Sequence, residues 1–491
     1  MNQSRFGGLR WESVEEISES NAAKAAARGE ILEALGPALD AENPLVKLLR
    51  RTRVPRHPDA AASAREEAEF LLQAASEIEH QFIVQYLYAL FSLDLDAGGE
   101  VAQQCETHLG EIAEEEMGHL LTVQNALLLI GAPPYFERER IPPTEPQPFP
   151  LVLEPASLPF VSRFLVAESP LDVELPDNLG ELKETIEHVG ALYAMLYWLF
   201  QDSDAPQEPW TLPPLAFPSG QHLKPEDYNA DAARVENMLN TADDWRANEG
   251  IHVLPPATPA LDTPAKMADA VRRALYDVAL QGEGPVGAGE EVPKETSHYH
   301  RLLRLYRSIK EASPGLVLAL DVPVNPHTDR AVGTNPEQEP GLITDDAALL
   351  HARFFNLRYA MLLLEIALSV MTPRSKMVNG EAVKFRLARR AISVGMRRGV
   401  GRLSRILVTL PLKRSQGGAG PPFAAAPFAL TPDLFPNDER QGWERHLRLI
   451  DESRALGSGA AGVALSPEIE ALLQEDKDFR PFVLARISEF T

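Results

Sequence analysis

The chain has 491 residues, a formal net charge of −24 and 44 % hydrophobic residues. That length exceeds one small core and suits a large domain with additions, and so acidic a chain repels nucleic acid and anionic membranes on average. Its single cysteine, Cys105, excludes an intrachain disulfide, a thiolate zinc cluster and a Cys-x-x-Cys-His haem attachment, and it fits a reducing compartment.

Residues 1–60 read as a polar leader with a helical stretch near Glu15–Leu35. The first residues hold no apolar signal-peptide core, so a cytoplasmic location is expected. Two periodic helices follow, over roughly 64–94 and 100–130. Gly98-Gly99 separates them, which predicts an antiparallel hairpin, and Gly131-Ala132-Pro133-Pro134 ends the second. Residues 133–177 are proline-rich without a sustained period and read as the long crossover that a ferritin-type bundle needs between its second and third helices. A third helix is predicted over 178–201. Its apolar run, Ala191–Phe200, is far short of a membrane span. An insertion follows over 203–262. Further helices are predicted at about 264–281 and 294–311, and after a second proline-rich stretch at about 344–372 and 380–410. Residues 415–436 read as loop and the last helical segments as short. The expected organisation is a leader at 1–60, an all-α ferritin-like four-helix bundle at 61–312, and a C-terminal helical region at 313–491.

The chemistry lies in the helices. In the first, Leu72, Ala75, Glu79, Ile83, Tyr86 and Leu90 share a face. In the second, Leu109, Ile112, Glu116, His119, Val123, Leu127 and Ile130 do so. Carboxylates inside an apolar stripe are costly unless paired or metal-bound. Glu-x-x-His sets two ligands one turn apart, pointing the same way. One Glu from one helix plus Glu-x-x-His from its neighbour is half of a di-iron carboxylate site, and mixed oxygen and imidazole donors suit iron or manganese. The other half is less clean. Glu295 and His298 repeat the spacing, Glu283 ends a helix at the same end of the bundle, and Glu187, Glu184 or His188 stand in the third helix. Each copy alone also reads as surface residues, and Glu115, four residues before His119, offers that histidine a solvated contact instead.

Ile78-Glu79-His80 with Tyr86-Leu87-Tyr88-Ala89-Leu90 resembles the first helix of the iminophenyl-pyruvate dimer synthase ferritin-like family. Similar matches are Glu115-Glu116-Met117-Gly118-His119 with Asn125, Gly131-Ala132-Pro133, Phe164 with Glu168-Ser169-Pro170, Gly190-Ala191-Leu192-Tyr193, Gln281-Gly282-Glu283-Gly284, Ser297-His298-Tyr299 and Ala419-Gly420-Pro421-Pro422-Phe423. The resemblance covers roughly residues 64–450. It implies a ferritin-like bundle in bacterial secondary metabolism. Relatives belong to longer, haem-associated enzymes that couple amino-acid-derived imines, and this chain resembles their ferritin-like portion. The family places a glutamate where this chain has Ala191. Alanine binds no metal, so the resemblance implies that Glu187, one turn earlier, substitutes, or that the site is incomplete.

Between Arg374 and Arg414 stand twelve Lys/Arg and one acid, Glu381. This amphipathic stretch suits an anionic membrane or ligand, but in so acidic a chain packing against the acidic remainder of the chain or of a partner subunit is the favoured reading.

The leading expectation is a metal-dependent, non-haem di-iron oxidoreductase (manganese being the other candidate metal) acting with dioxygen or peroxide on a small amino-acid-derived substrate. Its expected ligands are Glu79, Glu116, His119, Glu187, Glu283, Glu295 and His298, with Tyr86 and Tyr193 lining the cavity. The alternatives are a non-redox imine- or enamine-coupling enzyme on the same scaffold, and a non-enzymatic metal-binding module serving a partner. No transmembrane segment is expected; a homo-oligomer or a biosynthetic partner enzyme is.

Overall fold

The computed structural model describes residues 5–12, 54–58, 63–141, 149–169, 173, 175–176, 179, 182, 186, 189–201, 222–245, 261–282, 297–330, 335–414, 421–431, 433–459 and 463–490. The helical stretch expected at 15–35 lies outside them. Two pieces of the expected leader are folded: β1 (Arg10–Glu12) pairs antiparallel with β2 (Val54–Arg56). Phe6, Leu9 and Trp11 join the bundle core. The backbone N–H of Phe6 donates to Glu77 at 2.8 Å.

The hairpin forms the spine. Helix α1 (Ala64–Ser92) opens with a capping box, Ser63 accepting from the Glu66 N–H and Glu66 from the Ser63 N–H, which satisfies two end-of-helix donors at once. It is buried around nearly its whole circumference. Helix α2 (Gly99–Leu129) begins at Gly99, whose φ of 54° suits a residue without a side chain.

Among the described residues, the other half of the bundle is made of four segments. These are α3 (Leu158–Ala167) and α4 (Val189–Phe200), then, after short helices α5 (Ala232–Met238) and α6 (Ala242–Trp245) in the insertion, α7 (Pro264–Gln281) and α8 (His298–Ala312). Helix α3 packs on α8 and α4 on α7. Helix α4 also lies against α1, and α7 and α8 lie against α2. Helix α3 corrects the expectation of an aperiodic crossover. Its ten residues, capped by Ser157 and carrying Pro159 in the first turn, are too few to show a period above the surrounding prolines. The third helix, expected from 178, is described from Val189.

The C-terminal region wraps one apolar helix, α9 (Asp346–Met371). Around it pack α10 (Val383–Arg390), a π-helix (Ala391–Arg402) that runs on from it, α11 (Leu403–Leu407) and α12 (Glu439–Ser458), with α13 (Pro467–Ser488) lying against α12 and the π-helix. Helices α12 and α13 have 20 and 22 residues, which corrects the expectation of short terminal segments. Helix α9 is long and apolar enough to cross a membrane, but most of it is buried inside the protein, as a core helix is. Two glycines let the π-helix approach: a Cβ on Gly395 would lie 2.9 Å from Leu362, and one on Gly399 2.9 Å from Arg358. The core of this region also takes in Ile83, Val84, Leu120 and Leu121 from the outer face of the hairpin.

Charges from four helices meet inside this region. Arg358 donates to Asp476 at 2.7 Å, Arg390 to Asp476 at 3.1 Å and to Glu365 at 2.7 Å, and His446 lies 2.9 Å from Glu365. The basic stretch is largely neutralised within the chain: Arg374 pairs with Asp244, Arg398 with Glu475 and Arg405 with Glu106. Removing one partner of a buried ion pair strands the other. Asp476→Ala, which leaves Arg358 and Arg390 short of their shared acceptor, is therefore expected to lower unfolding free energy by about 3–5 kcal/mol in urea titrations, whereas Glu475→Ala at the exposed Arg398 pair should cost about 1 kcal/mol or less.

Candidate metal centre

The site lies midway along the hairpin, where the short segments end. Glu79 projects from α1, and Glu116 and His119 from α2. Glu168 is the C-cap of α3 and His298 the first residue of α8. All five are buried.

Two groups form, Glu79–Glu116–His119 and Glu116–Glu168–His298, with one ligand atom of each residue lying within 4.8 Å of the others in its group. Glu116 belongs to both. Its Oε2 is 2.8 Å from His119 Nδ1 and its Oε1 is 3.4 Å from His298 Nδ1. His119 Nδ1 is also 3.5 Å from Glu79 Oε2, and His298 Nδ1 is 2.7 Å from Glu168 Oε2. The imidazole rings are stacked, 5.6 Å apart.

The outward atoms are held. Tyr193 donates to Glu79 Oε1 and Tyr86 to Glu168 Oε1. His119 Nε2 lies 2.9 Å from Gln281 Oε1, and His298 Nε2 lies 2.9 Å from Glu115. Glu115 in turn accepts two bonds from Arg301, at 2.8 and 2.9 Å. With Nε2 bonded outward, each histidine turns Nδ1 inward to the carboxylates, where a metal ion would take the place of its proton. The inner atoms, Glu79 Oε2, Glu168 Oε2 and His298 Nδ1, are buried and face one another, His119 and Glu116, with no well-directed hydrogen bond. Three buried carboxylates around two imidazoles thus point their donors at common points, which fits a cation with mixed oxygen and nitrogen ligation.

Protons answer the same charge. Burial, with the nearby Glu116 charge, pushes Glu79 up to about 8. Burial also raises Glu168, against the opposing charge of His298. Burial alone would lower His119, yet the bond to and charge of Glu116 outweigh it and lift His119 to about 10. His298 rises well above its ordinary value because Glu168 and Glu116 outweigh burial. Burial works against ionised Glu116 too, but His298 and His119 hold it well below the usual carboxylate range.

Of the residues singled out in the sequence, Glu79, Glu116, His119, His298, Tyr86 and Tyr193 come together. Glu187, Glu283 and Glu295, with His188 and Glu184, lie outside the described residues. Ala191 is buried in α4 and offers no donor. The third carboxylate is Glu168, which stands in the Glu168-Ser169-Pro170 motif but not among the expected ligands. Its available signal was a wholly apolar short run, Phe164–Ala167, closed by an acid. Glu115 does not serve His119 but His298.

Residues 72–307 match the family model described as Ferritin-like. No curated protein and no solved structure gave a match.

Both raised groups lose protons as the pH climbs. A folded-state value above the unfolded one adds stability at low pH that is lost on passing through the folded value. For Glu79 the loss spans 4.5 to about 8 and for His119 6.5 to about 10. Metal-free protein should therefore melt lower at pH 9 than at pH 6, and manganous or ferrous ion should reverse the trend by replacing protons; calorimetry across that range checks both. Glu115→Ala should weaken metal binding about ten- to hundredfold by releasing His298, read by competition with a chelating dye. The matched length, the helical architecture and the buried acid–imidazole cluster together identify residues 72–307 as a ferritin-like domain.

Proposed function

We propose that the protein is a metal-dependent oxidoreductase with a non-haem two-metal centre, acting with dioxygen or peroxide on a small amino-acid-derived molecule. The observation that carries this reading is the Glu116 carboxylate, whose two oxygens face two different imidazoles. Glu79, Glu116 and His119 would hold one ion, and Glu116, Glu168 and His298 the other. Iron or manganese bound there supplies Lewis acidity and one-electron chemistry that side chains lack.

The chain's own residues do the rest. The Tyr86 and Tyr193 hydroxyls fix the outer oxygen of each terminal carboxylate and leave the inner one for a cation. Both phenols are buried, so each holds its proton at the edge of the site, within reach of a carboxylate. Phe82 and Phe160 meet Tyr86 edge-on, Phe164 is tilted against it, and Phe149 packs edge-on against Phe82 and Phe164, a layer that keeps bulk water from that side and strengthens every charge inside. The family-like motifs around Glu79, Glu116 and His298 support an amino-acid-derived substrate.

Elemental analysis of purified protein should find about two iron or manganese ions per chain, in keeping with paired carboxylate–histidine sets. Glu116→Ala should lose both and Glu168→Ala one. A wild-type protein with no fixed metal content, or a Glu116→Ala variant that loads normally, sinks the reading. Turnover that persists without oxygen in a strong chelator would point instead to acid–base coupling of an imine or enamine on the same scaffold.

A further inference from the structure

A second cavity lies on the other side of the hairpin. It has a volume of about 400 Å³ and sits between the outer face of α1–α2, helix α9 and the π-helix. None of the five metal-centre residues lines it. Yet its wall residues are immediate neighbours of theirs: His80 follows Glu79 and Met117 follows Glu116, each about a quarter turn round the helix.

The wall is apolar, with Ile83, Leu87, Leu120, Leu362 and Leu363 among its residues. The polar groups within it are already satisfied. His80 is 3.0 Å from the Phe136 carbonyl and also bonds the Tyr359 hydroxyl, which receives the Arg138 Nε–H at 3.3 Å. The Trp245 N–H donates to Asn240 at 3.3 Å. The interior therefore offers a ligand dispersion and water exclusion rather than hydrogen bonds.

The rim is different. Arg397, Arg402 and Arg405 line it against one acid, Glu114. Arg405 is engaged with Glu106 at 2.7 Å. Arg402 is exposed and has no hydrogen bond, ion pair or ring contact among the described residues, in a basic stretch whose other cations are largely engaged. Met396, Arg397, Val400, Gly401 and Arg402 all come from the π-helix. Its wider winding departs from the ordinary α-helix, and such departures concentrate where ligands bind.

We propose that this cavity is a binding site for a small amphipathic monocarboxylate, with its hydrocarbon body between the hairpin and α9 and its carboxylate at Arg402. Volume, satisfied interior and basic rim select that chemistry together: an uncharged apolar molecule would leave the arginine unused, and a polar one would find no partners inside.

The test is calorimetric titration of the full-length protein with decanoate and with decan-1-ol. Decanoate should bind saturably at one site per chain and more tightly than the alcohol. Arg402→Glu should weaken decanoate about tenfold, since it removes an attraction and adds a repulsion, while leaving the alcohol unchanged. Gly110→Phe blocks the cavity from α2, where a Cβ would meet nothing closer than Leu90 at 4.0 Å. It should abolish binding of both probes with the melting temperature kept. No saturable binding to the wild type, equal affinity for acid and alcohol, or undiminished binding to a folded Gly110→Phe protein would each overturn the proposal.

Discussion

Three carboxylates inside an apolar bundle are the constraint around which the rest is arranged. Left bare, Glu79, Glu116 and Glu168 would carry a desolvation cost that no amount of neighbouring leucine offsets. The protein meets it with two imidazoles turned inward, two phenols donating from outside and, through Glu115 and Arg301, a charge pair behind one of the imidazoles. A cation at the shared points completes that neutralisation better than protons, because it can meet several donors at once. The long hairpin exists in this sense to bring Glu79 and Glu116 face to face.

The two halves of the centre are alike in ligands but not in support. Behind His119 stands a neutral amide, Gln281; behind His298 stands a carboxylate clamped by arginine. A carboxylate partner makes an imidazole a stronger donor than an amide does. Two ions held in such surroundings would differ in electron richness although each has one histidine and shares Glu116.

Half of this arrangement could be read from residue spacing alone. Glu79, Glu116 and His119 fall on long helices where the apolar period is plain, so a charged residue on the wrong face stands out. His298 was legible from its spacing to Glu295, which repeats that of Glu116 and His119, and from the Ser297-His298-Tyr299 motif. Glu168 escaped because it caps a ten-residue helix set among prolines, where periodicity has no room to show. The basic stretch at 374–414 illustrates the complementary limit. Its charge is evident in the sequence, but only the fold brings Asp244, Glu475 and Glu106 to it from distant parts of the chain. The second cavity was partly hidden: the basic stretch that supplies its rim reads as suited to an anionic ligand, but its apolar walls face each other only once the hairpin, α9 and the π-helix have packed.

The donors also differ in what anchors them. Glu79, Glu116 and His119 sit mid-helix, and moving any of them means unwinding turns held on both sides by backbone bonds. Glu168 and His298 stand at segment boundaries, where one side of the backbone is already outside the helix. A boundary residue has fewer backbone bonds to break than one in mid-helix, so displacing it costs less. Geometry around one position is thus set by the stiff hairpin, whereas around the other it can adjust. A bound cation would find its adjustable ligands on the Glu168–His298 side.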